Sequence, residues 1–157
     1  MPSRRDAIRL SKDEIEKFLG NGKTIVVCSV GPDGVPHPMP MWYGLDPDGA
    51  VVMTTFAKSQ KVRNLERDPR VALLLEDGDA YNELRGVVVY GRVELERDVE
   101  RVLDTLARVS TRYQAGAGAD PKALRQALRA QAAKRVALRV RPERVVSWDH
   151  RKLGGAY

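Results

Sequence analysis

The sequence predicts a mainly β, α+β protein of one domain, and three observations carry that prediction. Short runs rich in β-branched residues recur along the chain, Gly- and Pro-containing turns separate them, and the helical stretches between them are amphipathic. At 157 residues the chain suits a single core.

The elements follow in order. Residues 1–10 are expected to form a flexible tail. Ser11-Lys-Asp-Glu14 is a capping box, and the short helix it opens buries Ile15, Phe18 and Leu19 before Gly20-Asn21-Gly22 ends it. Residues 23–30 are apolar at both parities, which predicts a strand deep in a sheet. Gly31-Pro-Asp-Gly34 turns the chain, residues 37–45 return as one strand, Asp46-Pro-Asp-Gly49 turns it again, and residues 50–56 are a third strand. Three strands joined this way make an antiparallel meander, the beginning of a barrel or a sandwich.

Residues 59–67 read as a helix of two turns with Val62 and Leu65 on one face, stopped by Asp68-Pro69. Residues 70–76 and 86–95 are further strands around a polar loop, 77–83. Residues 99–109 and 121–133 are helices joined by a flexible Gly116-Ala-Gly118 link, and residues 135–148 return to strand. The count is at least six strands with helices outside.

Composition narrows the function. Hydrophobic residues make up 43% and charged residues 31%, the balance of a soluble globular protein. No window approaches the length of a membrane span and no apolar run follows the charged N-terminus, so a cytoplasmic location without membrane contact is expected. Cys28 is the single cysteine, which excludes an internal disulfide and a cysteine metal site. No His, Asp or Glu pair has metal-ligand spacing, and no metal is expected. Net charge is +6, and between Arg101 and Arg144 eleven basic residues face three acids, a local charge of +8. Such a segment is either a solvated helix face or an attractor of anions. It lacks interleaved aromatics and any zinc-finger or helix-turn-helix spacing, so nucleic acid is not an expected partner.

The chemistry concentrates in Met53-Thr-Thr-Phe-Ala-Lys-Ser-Gln-Lys61. A strand ending in two hydroxyls runs into a helix start with Ser59 as its N-cap and Lys58 and Lys61 alongside. Free N–H groups, the helix dipole and two ammonium groups suit a phosphate. The local pattern equally suits a capped helix whose lysines face water, and by itself it leaves both readings open.

Ser59-Gln-Lys-Val-Arg-Asn-Leu-Glu-Arg-Asp-Pro-Arg-Val-Ala-Leu-Leu, followed by Gly86-Val-Val-Val-Tyr-Gly-Arg-Val-Glu-Leu, resembles the pyridoxamine-phosphate oxidase-like split-barrel superfamily. Gly34-Val-Pro-His-Pro-Met-Pro-Met-Trp-Tyr and Val146-Ser-Trp-Asp-His-Arg-Lys-Leu-Gly-Gly are similar to its deazaflavin-dependent branch. The resemblance implies a six-stranded antiparallel split β-barrel that forms a homodimer, with two cofactor sites at the subunit interface. The cofactor would be coenzyme F420, with FMN as the alternative. Met53, Thr54, Thr55, Lys58, Ser59 and Lys61 would hold its phosphate end, and the ring would lie over Pro40, Met41 and Trp42. The partner subunit would add the loop carrying Asp79 and Tyr81, together with Trp148. Both tryptophans equally suit a barrel or dimer core without a ligand.

The activity implied is hydride transfer between the reduced coenzyme and a small conjugated substrate. No catalytic side chain is identified, since such a cofactor carries the chemistry itself, and Tyr43, Tyr81, His37 or solvent could deliver a proton. An FMN oxidase or flavin reductase of the same fold is the nearest rival, disfavoured by the absence of an evident arginine-lysine phosphate clamp. A non-catalytic cofactor-binding or storage module would use the same pocket.

Overall fold

A computed structural model describes residues 3–113, 118 and 120–154, and residues 116–117 of the expected link lie outside these. The chain order is α1 (Arg4–Ala7), α2 (Lys12–Asn21), β1 (Ile25–Val30), β2 (Pro36–Met41), β3 (Gly44–Leu45), β4 (Val51–Phe56), α3 (Gln60–Arg67), β5 (Arg70–Asp77), β6 (Arg85–Glu96), α4 (Val99–Tyr113), α5 (Pro121–Ala132) and β7 (Arg135–Asp149). Short 3-10 turns at Tyr81–Glu83 and His150–Leu153 follow β5 and β7.

The capping box forms as expected: Ser11 Oγ accepts from the Glu14 N–H and Glu14 returns a bond to the Ser11 N–H. Gly34 and Gly49 close the two tight turns with φ of +82° and +84°, a region that side-chain-bearing residues avoid. The expected tail is an anchored segment from Ile8 onward. Ile8 accepts a backbone bond from Asp149, the Leu10 N–H bonds Ser147 Oγ, and the Leu10 side chain joins the core.

Seven strands, not six, make one antiparallel sheet in the order β2-β1-β5-β6-β7-β4-β3. The extra strand arises because residues 37–45 do not form one strand. The chain leaves the sheet at Trp42 and Tyr43, so β2 pairs β1 at one edge while β3 pairs β4 at the other. The simple meander fails for the same reason, and β4 finds its main partner in β7, from Val51↔Val140 to Phe56↔Arg135. Two residues thus link opposite ends of the strand order, and the sheet must curl to let them. A shift in register at Tyr90/Gly91, opposite Pro142, bends the long β6–β7 pair.

The inner face is packed by Ile25, Val27, Met53, Leu73, Val87 and Leu138, each essentially without exposed surface. Burial on this scale contributes roughly 1.5–3 kcal/mol per large apolar side chain. A second cluster, Val102, Leu103, Leu106, Leu128, Ala132 and Ala137, seats α4 and α5 on β7. β1 is therefore inward-facing at one parity only; Val26, Cys28 and Val30 stay half-exposed on the outer face. No helix among the described residues is long and apolar enough to cross a membrane.

Candidate functional site: an anion corner at the head of β7

The end of β4, the start of α3 and the start of β7 meet in a corner rich in unpaired polar groups. Thr55 and Lys61 are both buried, Lys61 being 7% exposed, and Lys61 Nζ donates to Thr55 Oγ1 at 2.9 Å. Ser59 occupies the N-cap position of α3, yet its hydroxyl makes no cap bond. Ser59 Oγ is instead buried without a hydrogen-bond partner, as is Arg135 Nε. Buried polar groups left unmatched cost about 1–3 kcal/mol each, so two in one corner mark a place built for something else. Burial, and after it the neighbouring Arg135 charge, holds Lys61 below the ordinary lysine range; burial works against the Arg135 charge as well. Neither cation pairs with a carboxylate among the described residues. The first turn of α3 carries no acid, and its free N–H groups open on the same corner.

Arg135 escaped the sequence reading because β4–β7 register, not local sequence, brings it opposite Phe56, where its guanidinium lies 4.4 Å from the ring centroid. The pair Lys61 and Arg135 supplies the arginine-lysine combination whose apparent absence had disfavoured FMN.

Other expected site residues divide by face. Thr54 and Thr55 point to opposite sides of β4, so only Thr55 turns toward Lys61, while Thr54, opposite Ala137, faces the α4–α5 layer. Met53 has no exposed surface and packs in the barrel core. Lys58 is exposed on the turn before α3.

Pro40 and Met41 lie on the edge strand β2. Trp42 is 60% exposed and stacks on Tyr113, with centroids 4.4 Å apart and planes within 6°. Tyr43 is fully buried and donates its proton to the Leu19 carbonyl, which keeps it from any substrate, and burial pushes its phenol up to about 12. His37 Nδ1 is buried without a partner.

Asp79, Tyr81 and Trp148 sit at the far end of β7 from this corner. His150 Nδ1 lies 2.8 Å from the Tyr81 carbonyl and the two rings are in contact. Trp148 packs on Gly86, where any Cβ would collide with the indole. Residues 135 and 148 lie at opposite ends of β7, with the bend at Pro142 between them. The far end also holds a cleft of about 720 Å³ lined by Phe18, Lys23, Asp77, Arg85, Asp149 and Arg151. Its charges are largely matched within the wall, Arg85 with Asp77 and Arg151 with Asp149, whereas the anion corner's are not.

The basic segment is less basic in three dimensions than in sequence. Six of its eleven cations, Arg101, Arg108, Arg125, Arg129, Arg139 and Arg141, pair with carboxylates, most of them from outside the segment. Arg112 bonds the Leu19 and Gly22 carbonyls, and Arg144 lies over the Tyr90 ring. Lys134 and Arg135, at the head of β7, pair with no carboxylate among the described residues.

Residues 11–149 match the family model described as pyridoxamine 5'-phosphate oxidase. The chain belongs to this family. Among solved structures, it is 40% identical to the conserved hypothetical protein Rv2991 from Mycobacterium tuberculosis, with a TM-score of 0.87 over 99% of this chain and 95% of that one. An F420 reductase is 29% identical, with a TM-score of 0.62 over 83% and 94%. A FAD-binding protein from Mesorhizobium loti, at 23% identity and a TM-score of 0.64 over 88% and 94%, shares the fold. None of the curated proteins matches the chain. As a pyridoxamine 5'-phosphate oxidase family member, the chain has its unmatched cations at a strand-to-helix junction of the barrel. Family membership fixes the scaffold and leaves the choice of cofactor to the residues themselves.

Proposed function

We propose that this chain is a homodimeric, F420-dependent oxidoreductase that holds the phosphate of its coenzyme between Ser59, Lys61 and Arg135. The observation that carries the reading is the buried, carboxylate-free cation pair beside an unpartnered hydroxyl. A phosphate there would accept from Ser59, from Arg135 Nε and from the first N–H groups of α3, and would relieve the repulsion between the two cations. The resemblance of the Gly34–Tyr43 and Val146–Gly155 stretches to the deazaflavin branch, together with the F420 reductase neighbour, favours F420.

The bound coenzyme supplies a hydride donor or acceptor. The chain's own residues bind the phosphate end, orient the ring along β2 and exclude water with the apolar inner wall. Tyr43 stays neutral and structural, so a proton reaches the substrate from solvent, Tyr81 or His37.

A second copy completes the site. Trp148 and the Asp79–Tyr81 loop sit at the opposite end of β7 from Arg135, which favours their reaching the coenzyme from the second copy. The outer sheet face, with Pro40, Val26, Leu74, Val88 and Val146 in one row across five strands, offers half-exposed apolar surface for that copy.

The arginine at the phosphate corner keeps FMN as the second reading, because Lys61 with Arg135 suits a terminal phosphate as well as a phosphodiester. Equilibrium binding of F420 and FMN to the purified dimer decides between them, followed by oxidation of reduced F420 with a conjugated acceptor. Tighter FMN binding overturns the F420 assignment. Binding of neither overturns the reading altogether, and F420 binding without turnover under any acceptor makes the protein a carrier.

A further inference from the structure

The register of three neighbouring strands sets a row of charges across one mouth of the barrel. Asp77 is opposite Arg85 and Arg85 is opposite Asp149, so the three side chains stand on one face of β5, β6 and β7. The next row on that face is Leu75, Val87 and Ser147, all buried, and Leu75 and Val87 belong to the core. The inner wall therefore turns from apolar to charged at this end, whereas Trp148 alternates to the outer face. α2 roofs the transition, with the Arg85 guanidinium 5.3 Å from the centroid of the Phe18 ring. The cleft of about 720 Å³ opens here.

Donors in this cleft outnumber acceptors. Asp77 and Asp149 are engaged by Arg85 and Arg151, but each guanidinium uses only Nε and Nη2, so its Nη1 bonds nothing among the described residues. Lys17 and Lys23 also line the cleft and pair with no carboxylate among the described residues. Glu14 is taken by Lys152, which leaves Glu76 as the lining acid without a pairing cation among the described residues. Two arginine edges and two lysines against one glutamate favour an anion over a cation. Leu10, Phe18 and Leu75 give the same space an apolar side, which an inorganic ion would leave unused, and its volume is that of a small-molecule site.

We infer that this cleft binds a small organic carboxylate with an apolar body, and that its occupancy stiffens the loop between β5 and β6. The carboxylate accepts from the spare edges of Arg85 and Arg151 and is attracted by Lys17 and Lys23, while the body lies along Phe18 and Leu75. The ion pairs to Asp77 and Asp149 hold both guanidiniums before the ligand arrives, which spares it their ordering cost. Asp77 and Arg85 are the roots of the loop. Asp149 and Arg151 flank His150, whose N–H donates to the Leu84 carbonyl at 2.9 Å and whose Nδ1 lies 2.8 Å from the Tyr81 carbonyl. A ligand spanning both arginines thus ties the loop to the end of β7. The site is separate from the anion corner, and only its consequence for a coenzyme, through the reach of this loop to a second copy, rests on the proposed function.

The test titrates the intact protein with phenylacetate, beside phenylacetamide, which lacks the charge, and acetate, which lacks the body. Phenylacetate should bind roughly tenfold tighter than either. Lys17→Gln combined with Lys23→Gln removes no pairing among the described residues, so it should keep the melting temperature and weaken phenylacetate about three- to tenfold. Lys61→Met, at the distant anion corner, should leave phenylacetate affinity within about twofold. Backbone amides of residues 79–84 should exchange more slowly with phenylacetate bound and at an unchanged rate with inorganic phosphate. Equal binding of acid and amide, full affinity in the double lysine variant, or loss of phenylacetate binding in Lys61→Met overturns the site. Tight binding with unaltered exchange in the loop overturns the stiffening. Every measurement is made without coenzyme, so failure here leaves the F420 and FMN readings as they stand.

Discussion

Lys61 on α3 and Arg135 at the head of β7 lie within electrostatic reach of each other in a corner that holds no carboxylate among the described residues. The folded protein without ligand therefore carries a repulsion that an anion removes. Lys61 has its folded pKa below its unfolded one, so the unfolded chain binds more protons between the two values. The penalty is fully present below the folded value and disappears as pH rises toward 10.5, the unfolded reference.

Lys61→Met should consequently keep or raise the melting temperature of the ligand-free protein while lowering coenzyme affinity. Loss of one charge-assisted hydrogen bond, roughly 1.5–3 kcal/mol, corresponds to about a ten- to hundredfold weaker Kd. Inorganic phosphate should stabilise the wild type and not the variant. Thermal melts with and without phosphate, paired with calorimetric titration, check both halves, and an unchanged Kd refutes the phosphate assignment.

The two threonines of β4 should separate cleanly. Thr55→Val removes the acceptor of the Lys61 bond and is expected to weaken coenzyme binding several-fold, whereas Thr54→Val, on the opposite face, should leave affinity within twofold. Equal losses from both would mean that the ligand approaches from the α4 side.

Gly86→Ala drives a methyl group into the Trp148 ring. Overpacking of this kind costs about 1–3 kcal/mol, to be read from denaturant midpoints. Combining it with Trp148→Leu should recover most of that loss, since the smaller side chain vacates the contested space. No recovery would mean that the glycine is needed for its backbone and not for the indole.

Tyr43→Phe should cost about 1 kcal/mol at neutral pH through the lost bond to Leu19. The wild-type phenol is kept neutral up to about 12, above its ordinary value of 10.0, so stability present below pH 10 is lost as pH climbs through 12. The phenylalanine variant lacks that decline. The difference between the two stability curves isolates it from the opposite slope contributed by Lys61, and parallel curves would refute it.

Much of the fold was legible because its signals are local. The Ser11–Glu14 box, the Gly34 and Gly49 turns and the helix after Ser59 each depend on residues a few positions apart. The break at Trp42–Tyr43 was hidden, since Met39-Pro-Met-Trp-Tyr-Gly-Leu45 is apolar throughout and gives no periodicity change where the chain changes sheet edge. At the site, the hydroxyl-lysine pattern pointed to the anion, but alternation along β4 turns Thr54 to the other face, and Met53, on the same face as Thr55, is packed in the core. Arg135 had only one local signal, a Lys-Arg pair opening a strand, and its place beside Lys61 follows from the β4–β7 register.

The pairing of Phe56 with Arg135 joins positions 79 residues apart. During synthesis the strand, hydroxyl and lysine of the corner leave the ribosome long before its arginine does, and the intervening strands must be in place before β7 can close on β4. Pairings of such separation form late in folding. The anion corner is therefore among the last parts of the fold to be completed, and under the proposed function a coenzyme phosphate would meet its full set of partners only once β7 has closed on β4.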